Sequence, residues 1–186
     1  TNCEKYILMS SRILRDKGVE EYCLAAKIVN SIIGSEVKFK LSGPVDSHSP
    51  SFISEPDIKK LTASCGVEYL GNRGDMPELL ASAFIFVLPS YYAEGLPKVL
   101  LEASSCGVPI ITTDHTGCRN AVIEGETGLL VPVRDSKALA NAIMKLINDI
   151  TLVEQMGKNG RILAESDYRD SKVVDDHYLL YRQMCR

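Results

Sequence analysis

The stretch that decides the fold is FIFVLPSYYAEGLPKVLLEASSCG, residues 84–107. Its first five residues form an apolar run, which predicts a strand buried on both faces. A loop follows in which Gly95 permits close backbone approach, and Pro97 suits the first turn of a helix that ends near Gly107. A strand, a loop and a helix in this order indicate one unit of a parallel α/β sheet.

The same alternation runs through most of the chain. Residues 1–150 are therefore predicted to form an α/β core, a Rossmann-like doubly wound parallel sheet of about six strands. Helices are expected to begin after Ser54, Asp75 and Asp135, whose side chains can cap a helix. The first helix is expected to bury an apolar stripe of Val19, Leu24, Ile28 and Ile32. The expected strands are 6–9, 37–41, 67–70, 84–88, 109–112 and 129–131.

Residues 151–186 are predicted to form two terminal helices, 152–165 and 172–184, within a single domain of residues 1–186. The simpler expectation is that both helices pack against the sheet. Ligands of doubly wound folds bind beyond the carboxyl ends of the strands. The loops at that edge are therefore the candidate site.

The composition narrows the class of protein. With 45% hydrophobic and 24% charged residues, the 186-residue chain is typical of a globular domain. A net charge of −3 disfavours nucleic acid as a partner. The apolar runs are too short to cross a bilayer. Because no two of the six cysteines form a C-x-x-C pair, we expect reduced thiols in a cytoplasmic protein, and no structural zinc site.

The helix start near Gly95 predicts an anion site, because free backbone N–H groups and the helix dipole both attract negative charge. Glu102 lies between apolar neighbours two turns into that helix, where a buried carboxylate needs donors such as a ribose diol. Glu94 lies just before that helix, at the mouth of the expected binding site, where it could accept hydrogen bonds from sugar hydroxyls. The alternative is equally open: Glu94 is a helix-dipole acid and Glu102 a solvated residue.

Residues 10–18 connect the first strand to the first helix and carry Arg12 and Lys17. Arginine suits bidentate contact with phosphate, and lysine acts as a compact charge. Read in isolation, the segment is an ordinary surface loop. It lacks the glycine spacing of a dinucleotide site and that of a phosphate loop.

Two further loops would flank the same crevice. One carries Gly43 after the second strand, and the other carries Asn72 and Arg73 after the third. A nucleobase could lie near residues 71–73. Without other support, both loops are better explained as plain turns.

Taken together, these loops resemble the C-terminal domain of family 4 glycosyltransferases, one half of a GT-B fold. The resemblance covers roughly residues 5–150. It depends on EGLPKVLLEA at 94–103, which contains two glutamates with seven residues between them, and on CGVPIITTD at 106–114, GCR at 117–119 and GETGLLVP at 125–132. Arg12 with DKG at 16–18 fits the same family. Ser11, where the family often has glycine, and Asn120, where it often has an acid, depart from the pattern.

The resemblance implies a role for each matching position. Arg12 and Lys17 would bind the diphosphate and stabilise the departing nucleotide. Glu94 would accept hydrogen bonds from the hydroxyls of the transferred sugar. These three are the expected catalytic residues. Glu102 would bind the ribose. The full expected donor-binding set is Gly43, Asn72, Arg73, Gly95, Leu96, Pro97, Lys98, Val99 and Glu102.

For the activity, the resemblance implies the donor-binding half of a retaining glycosyltransferase that needs no metal and no cofactor. Its substrate would be a nucleoside diphosphate sugar, with a UDP-sugar expected. The acceptor, a glycan or a lipid-linked glycan, would bind an N-terminal domain that this chain lacks. Any peripheral contact with the cytoplasmic face of a membrane would come through that domain, and the isolated chain is expected not to transfer. The alternative is a non-catalytic nucleotide-binding module.

Overall fold

The computed structural model describes residues 5–34 and 36–184, without the side chains of 170, 173, 175 and 176. The strands are β1 Tyr6–Ser10, β2 Lys38–Ser42, β3 Val67–Tyr69, β4 Ile85–Leu88, β5 Ile110–Thr113 and β6 Gly128–Val131. The helices are α1 Val19–Ile33, α2 Glu55–Cys65, α3 Met76–Ala81, α4 Lys98–Ser105, α5 Ser136–Ile147, α6 Ile150–Asp167 and α7 Asp170–Met184. Single 3₁₀ turns lie at Arg15–Lys17 and Arg119–Ala121.

All six strands belong to one parallel sheet with the order β3-β2-β1-β4-β5-β6. This confirms the predicted Rossmann-like sheet and each of its predicted strands. The strand order reverses between β1 and β4, where Ile7 pairs with Ile85. A crevice opens at such a switch point because the connections on its two sides run in opposite directions.

The central strands are buried along their whole length, in keeping with their uninterrupted apolar runs. Helix α1 packs against α2 and α5, and α4 packs against α3 and α6. The core lies between these helices and the sheet.

Helix α1 buries only part of the predicted stripe: Val19 is fully buried and Ile28 packs against the core, but the other two residues are exposed. Leu24 and Ile32 are 47% and 63% exposed, whereas Tyr22, Cys23 and Val29 are fully buried. The Tyr22 hydroxyl donates to the carbonyl oxygens of Ile7 and Lys40 at 2.8 and 3.0 Å, so the ring can be buried with its polar group satisfied. The prediction was wrong for Leu24 and Ile32 because large aliphatic residues were taken as the core stripe.

The predicted helix starts are confirmed, although the caps differ. The Ser54 hydroxyl accepts from the Asp57 N–H at 3.3 Å, and the Asp135 carboxylate accepts from two backbone N–H groups of α5. Asp75 occupies the cap position of α3 without bonding to its backbone. Its carboxylate is instead held by Arg73.

The two terminal helices differ in their packing. Helix α6 buries Met156, Gly157 and Gly160 against α4. The expectation that α7 also packs against the sheet is wrong, because its described side chains are exposed, with apolar ones at Val174, Tyr178, Leu179, Leu180, Tyr181 and Met184. Within the described ranges, none of the helices is long and apolar enough to cross a bilayer.

Candidate functional site

A cleft of about 330 Å³ opens at the carboxyl edge of the sheet, next to the β1–β4 switch point. It brings together residues from the loop after β1 and from the loop after β4. Its lining residues are Ser10, Ser11, Arg12, Lys17, Met76, Leu88, Glu94, Pro97, Lys98, Val99 and Glu102.

Lys17 is the more deeply placed of the two predicted cations. It ends the 3₁₀ turn, and Gly18 then takes a left-handed conformation with φ 79°. A Cβ at Gly18 would lie 2.2 Å from the carbonyl oxygen of Pro89, so only glycine lets this turn approach the end of β4. Only 7% of the Lys17 side chain is exposed, and its ammonium pairs with the Glu94 carboxylate.

Arg12 lies at the outer side of the cleft. Its Nη1 is 2.9 Å from Oδ2 of Asp46, in the loop after β2. The hydrogen bond between them raises the pKa of Arg12 and lowers the pKa of Asp46, whose other oxygen accepts from the His48 N–H. The guanidinium is therefore charged and held in place.

The loop that carries Glu94 is fixed from two sides. The Tyr91 N–H donates to the Asp16 carbonyl oxygen at 2.9 Å, which ties this loop to the turn that ends in Lys17. On the other side Gly117 has φ 89°, and a Cβ there would lie 2.3 Å from the Gly95 carbonyl oxygen. These contacts explain why the Glu94 carboxylate meets an ammonium 77 residues away in sequence.

Helix α4 begins at Lys98, three residues later than predicted, and Pro97 is its N-cap. Pro97 lines the cleft. Because proline has no N–H, its backbone offers no hydrogen-bond donor there. Leu100 N–H bonds to the Pro97 carbonyl oxygen, and the N–H groups of Lys98 and Val99 precede that bond. A Cβ at Gly95 would meet no described atom within 4 Å, so the space beside Gly95 is open.

Of the two alternatives left open by the sequence for Glu102, the structure favours the solvated one. Its side chain is 42% exposed, and the carboxylate lies 3.7 Å from the Lys98 ammonium one turn earlier. This carboxylate is therefore accessible to solvent from the cleft. Glu102 also borders a second cavity of about 170 Å³, which is shared with Met76 and lined further by Pro77, Leu80, Ser105 and Cys106.

The described lining of the main cleft contains four of the predicted donor-binding residues and lacks the other five, which are Gly43, Asn72, Arg73, Gly95 and Leu96. Arg73 donates to both carboxylate oxygens of Asp75 at 2.8 and 2.6 Å. Gly43 has φ 146°, and a Cβ there would lie 1.7 Å from the Ser11 carbonyl oxygen. Gly43 thus lets the loop after β2 approach the residue that precedes Arg12.

Sequence reasoning missed four residues of the site. Asp46 holds Arg12, Gly117 supports the Glu94 loop, Met76 borders both cavities, and the Tyr92 ring lies beside both cations. Asp46 lies in the same loop as Gly43, and Gly117 begins the GCR motif at 117–119. Only the strand order brings them to the cleft.

The described cysteines carry free thiols, as the sequence predicted, and Cys3 and Cys185 lie outside the described residues. Burial raises the pKa of Cys23 to about 12 and also raises the pKa of Cys118, which lies near the Lys17–Glu94 pair. Both are neutral packing groups at physiological pH.

The structure is a doubly wound α/β domain whose cleft, at the switch point, contains Arg12, Lys17 and Lys98. Residues 2–163 match the family model described as glycosyl transferases group 1. The chain belongs to that family, which confirms the resemblance seen in its motifs.

Two curated relatives illustrate the family. The capsular polysaccharide biosynthesis glycosyltransferase CapM of Staphylococcus aureus is 35% identical over 175 residues, which cover 94% of this chain and 45% of CapM. An N,N'-diacetylbacillosaminyl-diphospho-undecaprenol alpha-1,3-N-acetylgalactosaminyltransferase of Campylobacter jejuni is 34% identical, with 97% of this chain and 45% of that enzyme covered. The chain therefore spans about half the length of the curated relatives it matches.

Solved structures share the fold. Sucrose-phosphate synthase from Thermosynechococcus elongatus superposes with a TM-score of 0.83 at 31% identity, over 97% of this chain and 45% of the synthase. HepE of Anabaena, solved in complex with UDP, gives a TM-score of 0.83 at 23% identity, over 97% of this chain and 49% of HepE.

Proposed function

We propose that this chain is the donor-binding half of a retaining glycosyltransferase that transfers a sugar from a UDP-sugar to a glycan or lipid-linked acceptor. The observation that carries the proposal is the meeting of Arg12, Lys17 and the start of α4 at one cleft. Family membership and the two relatives that act on glycans support it.

In this proposal the cleft holds the diphosphate between two cations and the first N–H groups of α4. When the bond from the anomeric carbon to the phosphate oxygen breaks, its electron pair stays on the nucleotide. Lys17 is nearly withdrawn from water, where a fixed charge stabilises the developing negative charge more strongly than in solution. Arg12 and Lys17 supply positive charge without a metal, so we expect transfer to survive chelation.

The acceptor oxygen then forms a bond to the anomeric carbon on the face that the nucleotide leaves, and the acceptor hydroxyl passes its proton to the departing phosphate oxygen. Glu94 accepts hydrogen bonds from the transferred sugar once the phosphate has taken its place beside Lys17. Glu102, which is half-exposed on α4, accepts hydrogen bonds from the ribose hydroxyls. The base then extends toward Asn72 and Arg73, which requires Arg73 to leave Asp75.

The donor and the partner domain follow from the relatives. HepE was solved with UDP, and the Campylobacter jejuni relative is an N-acetylgalactosaminyltransferase. These support a UDP-N-acetylhexosamine as donor. Since the chain spans about half of its relatives, we propose that an N-terminal domain binds the acceptor at the cytoplasmic face of a membrane, and that this chain alone binds donor without transferring it.

Calorimetry with UDP, GDP and ADP, each with and without sugar, tests the donor proposal. We expect UDP and its sugars to bind most tightly. The Arg12→Ala and Lys17→Ala variants should each weaken UDP binding about tenfold, as loss of a charge-assisted phosphate contact does. Lys59→Ala is the matched control, because Lys59 is exposed on α2 and is paired with Glu55. This variant should bind UDP as the wild type does. Wild-type affinities all weaker than about 1 mM, near 4 kcal/mol, would overturn the proposal.

The alternative, a nucleotide-binding module without catalysis, is decided in the full-length protein with Glu94→Ala. Loss of glycoside formation without weaker UDP binding supports the enzyme. If Glu94→Ala forms no glycoside but the protein's function in the cell is unchanged, the result supports the nucleotide-binding module without catalysis.

A further inference from the structure

We propose that Tyr92 is a positioning residue that holds the Arg12 and Lys17 side chains in place for a diphosphate. The inference rests on the proposed function, since it assigns the ring to the cations that would bind the donor. Its subject is a residue outside the motif positions on which the family resemblance depends.

The Tyr92 ring lies close to both cations. The Lys17 ammonium is 4.6 Å from the ring centroid, and the central carbon of the Arg12 guanidinium is 5.8 Å from it. Both distances lie within the range in which the negative face of an aromatic ring attracts a cation. One ring therefore stabilises two like charges that would otherwise repel each other.

The backbone that carries the ring is tied to the turn that carries Lys17. The Tyr92 N–H donates to the Ser90 hydroxyl at 3.2 Å, and this hydroxyl, which is fully buried, donates to the Asp16 carbonyl oxygen at 3.3 Å. Asp16 immediately precedes Lys17. Ring and ammonium thus keep their separation because one short hydrogen-bonded path connects their backbones.

The Tyr92 ring affects ligand binding indirectly, through the Arg12 and Lys17 side chains. Tyr92 is half-buried and is not among the described residues that line the cleft. In the free protein, carboxylates bind the two cations from other directions, Asp46 at Arg12 and Glu94 at Lys17. When phosphate oxygens replace these carboxylates, the ring remains as the contact that keeps both cations facing the cleft. Less side-chain entropy is then lost on binding.

Tyr91 provides a matched control. It is the neighbouring residue and the same type, but its ring lies 4.5 Å from the central carbon of the Arg134 guanidinium, and neither residue lines the described cleft. Loss of the Tyr91 ring removes a cation–aromatic contact from the same loop without touching the proposed phosphate site.

The test measures UDP and inorganic pyrophosphate affinity of the whole chain by calorimetry. We expect Tyr92→Leu and Tyr92→Met each to raise both dissociation constants about 5- to 20-fold, as two lost cation–aromatic contacts predict. Tyr92→Phe keeps the ring and should recover most of the affinity. Tyr91→Leu should bind as the wild type does.

A double-mutant cycle separates positioning from general damage to the loop. In a Lys17→Ala background, Tyr92→Leu should weaken UDP binding by less than about threefold, because the ring and the ammonium act as one unit. Fully additive losses would overturn the positioning role, and so would normal UDP binding by Tyr92→Leu. If both ring-less variants unfold, as judged by thermal melting, Tyr92 is a structural residue and the inference is wrong. Failure of the wild type to bind UDP, GDP or ADP would instead overturn the proposed function.

Discussion

Lys17 carries a positive charge almost out of contact with water, and a charge in that position requires a counter-charge. Glu94 supplies it in the free protein, where its carboxylate occupies the place proposed for a phosphate. The proposed function therefore requires a donor to displace Glu94 from Lys17. This exchange would couple phosphate binding to sugar recognition, since the displaced carboxylate becomes free to meet sugar hydroxyls.

Glu94→Gln should reveal the exchange. A neutral amide competes poorly with phosphate, so we expect UDP to bind about three- to tenfold more tightly, the effect of removing one competing charge. The extra affinity conferred by an attached N-acetylglucosamine should fall, because an amide accepts fewer hydrogen bonds than a carboxylate. Calorimetry with UDP and UDP-N-acetylglucosamine measures both. Weaker UDP binding by this variant would contradict the exchange.

Cys23 makes stability depend on pH. Its pKa rises from 9.0 to about 12 because the thiol is buried. Between these values the unfolded chain loses the proton and the folded chain keeps it, so the free energy of unfolding falls as pH rises. The slope contributed by one such group reaches about 1.4 kcal/mol per pH unit.

Cys23→Ala should therefore flatten the decline in stability above pH 9. Urea unfolding at pH 8, 9 and 10 measures the slope, with Cys106→Ala, whose thiol is only partly buried, as the control. Equal slopes in wild type and Cys23→Ala would show that this thiol does not ionise on unfolding.

At the scale of the element, the loop between β4 and α4 owes its shape to a contact with a distant loop. Gly117 approaches the backbone of Glu94 and Gly95 so closely that any side chain would displace them. Since α4 begins only at Lys98, the residues before it have no helical hydrogen bonds to hold them. Their position depends on Gly117 and on the Asp16 carbonyl.

Gly117→Ala is therefore expected to weaken UDP binding at least tenfold, since a displacement of about 1 Å at a positioned site is costly. Gly125→Ala is the matched control, because Gly125 has a similar φ of 78° but open space beside it. Both variants carry the same backbone strain, about 1 kcal/mol, so a lower melting temperature of Gly117→Ala would report the additional clash with the backbone of Glu94 and Gly95. If the two variants bound UDP equally, the contact with the Glu94 loop would be unimportant.

At the scale of the whole molecule, α7 stands apart from the rest. Its described side chains are exposed, whereas α6 closes the core against α4. The sheet and its cleft are complete without α7. Stability should therefore be independent of it.

A chain that ends at Arg169 should melt within about 2 °C of the whole chain and bind UDP equally well, because little buried area is lost. A chain that ends at Asn148 also loses α6, including the buried Val153 and Met156, and should be strongly destabilised. Thermal melting of the three proteins decides this. If removal of α7 alone lowered the melting temperature strongly, this helix would have to pack on the domain in solution.

The amino-acid sequence alone determined the strands, most helix starts and the two loops that hold the candidate cations. These depend on signals within a few residues, such as an apolar run or a capping serine, and the cap at Ser54 is an example. Once six alternating units were recognised, the carboxyl edge of the sheet followed as the place for a ligand.

Only the tertiary structure decided which residues meet there. Pairing of Lys17 with Glu94 requires β1 and β4 to be neighbours, and contact of Arg12 with Asp46 requires β2 on the other side of β1. The half-exposure of Glu102 depends on how α4 packs, whereas the ion pair of Arg73 with Asp75 is local, between exposed side chains two residues apart. The physical reason is that burial and charge pairing are set by distances in space, and strand order brings together residues that are far apart in sequence.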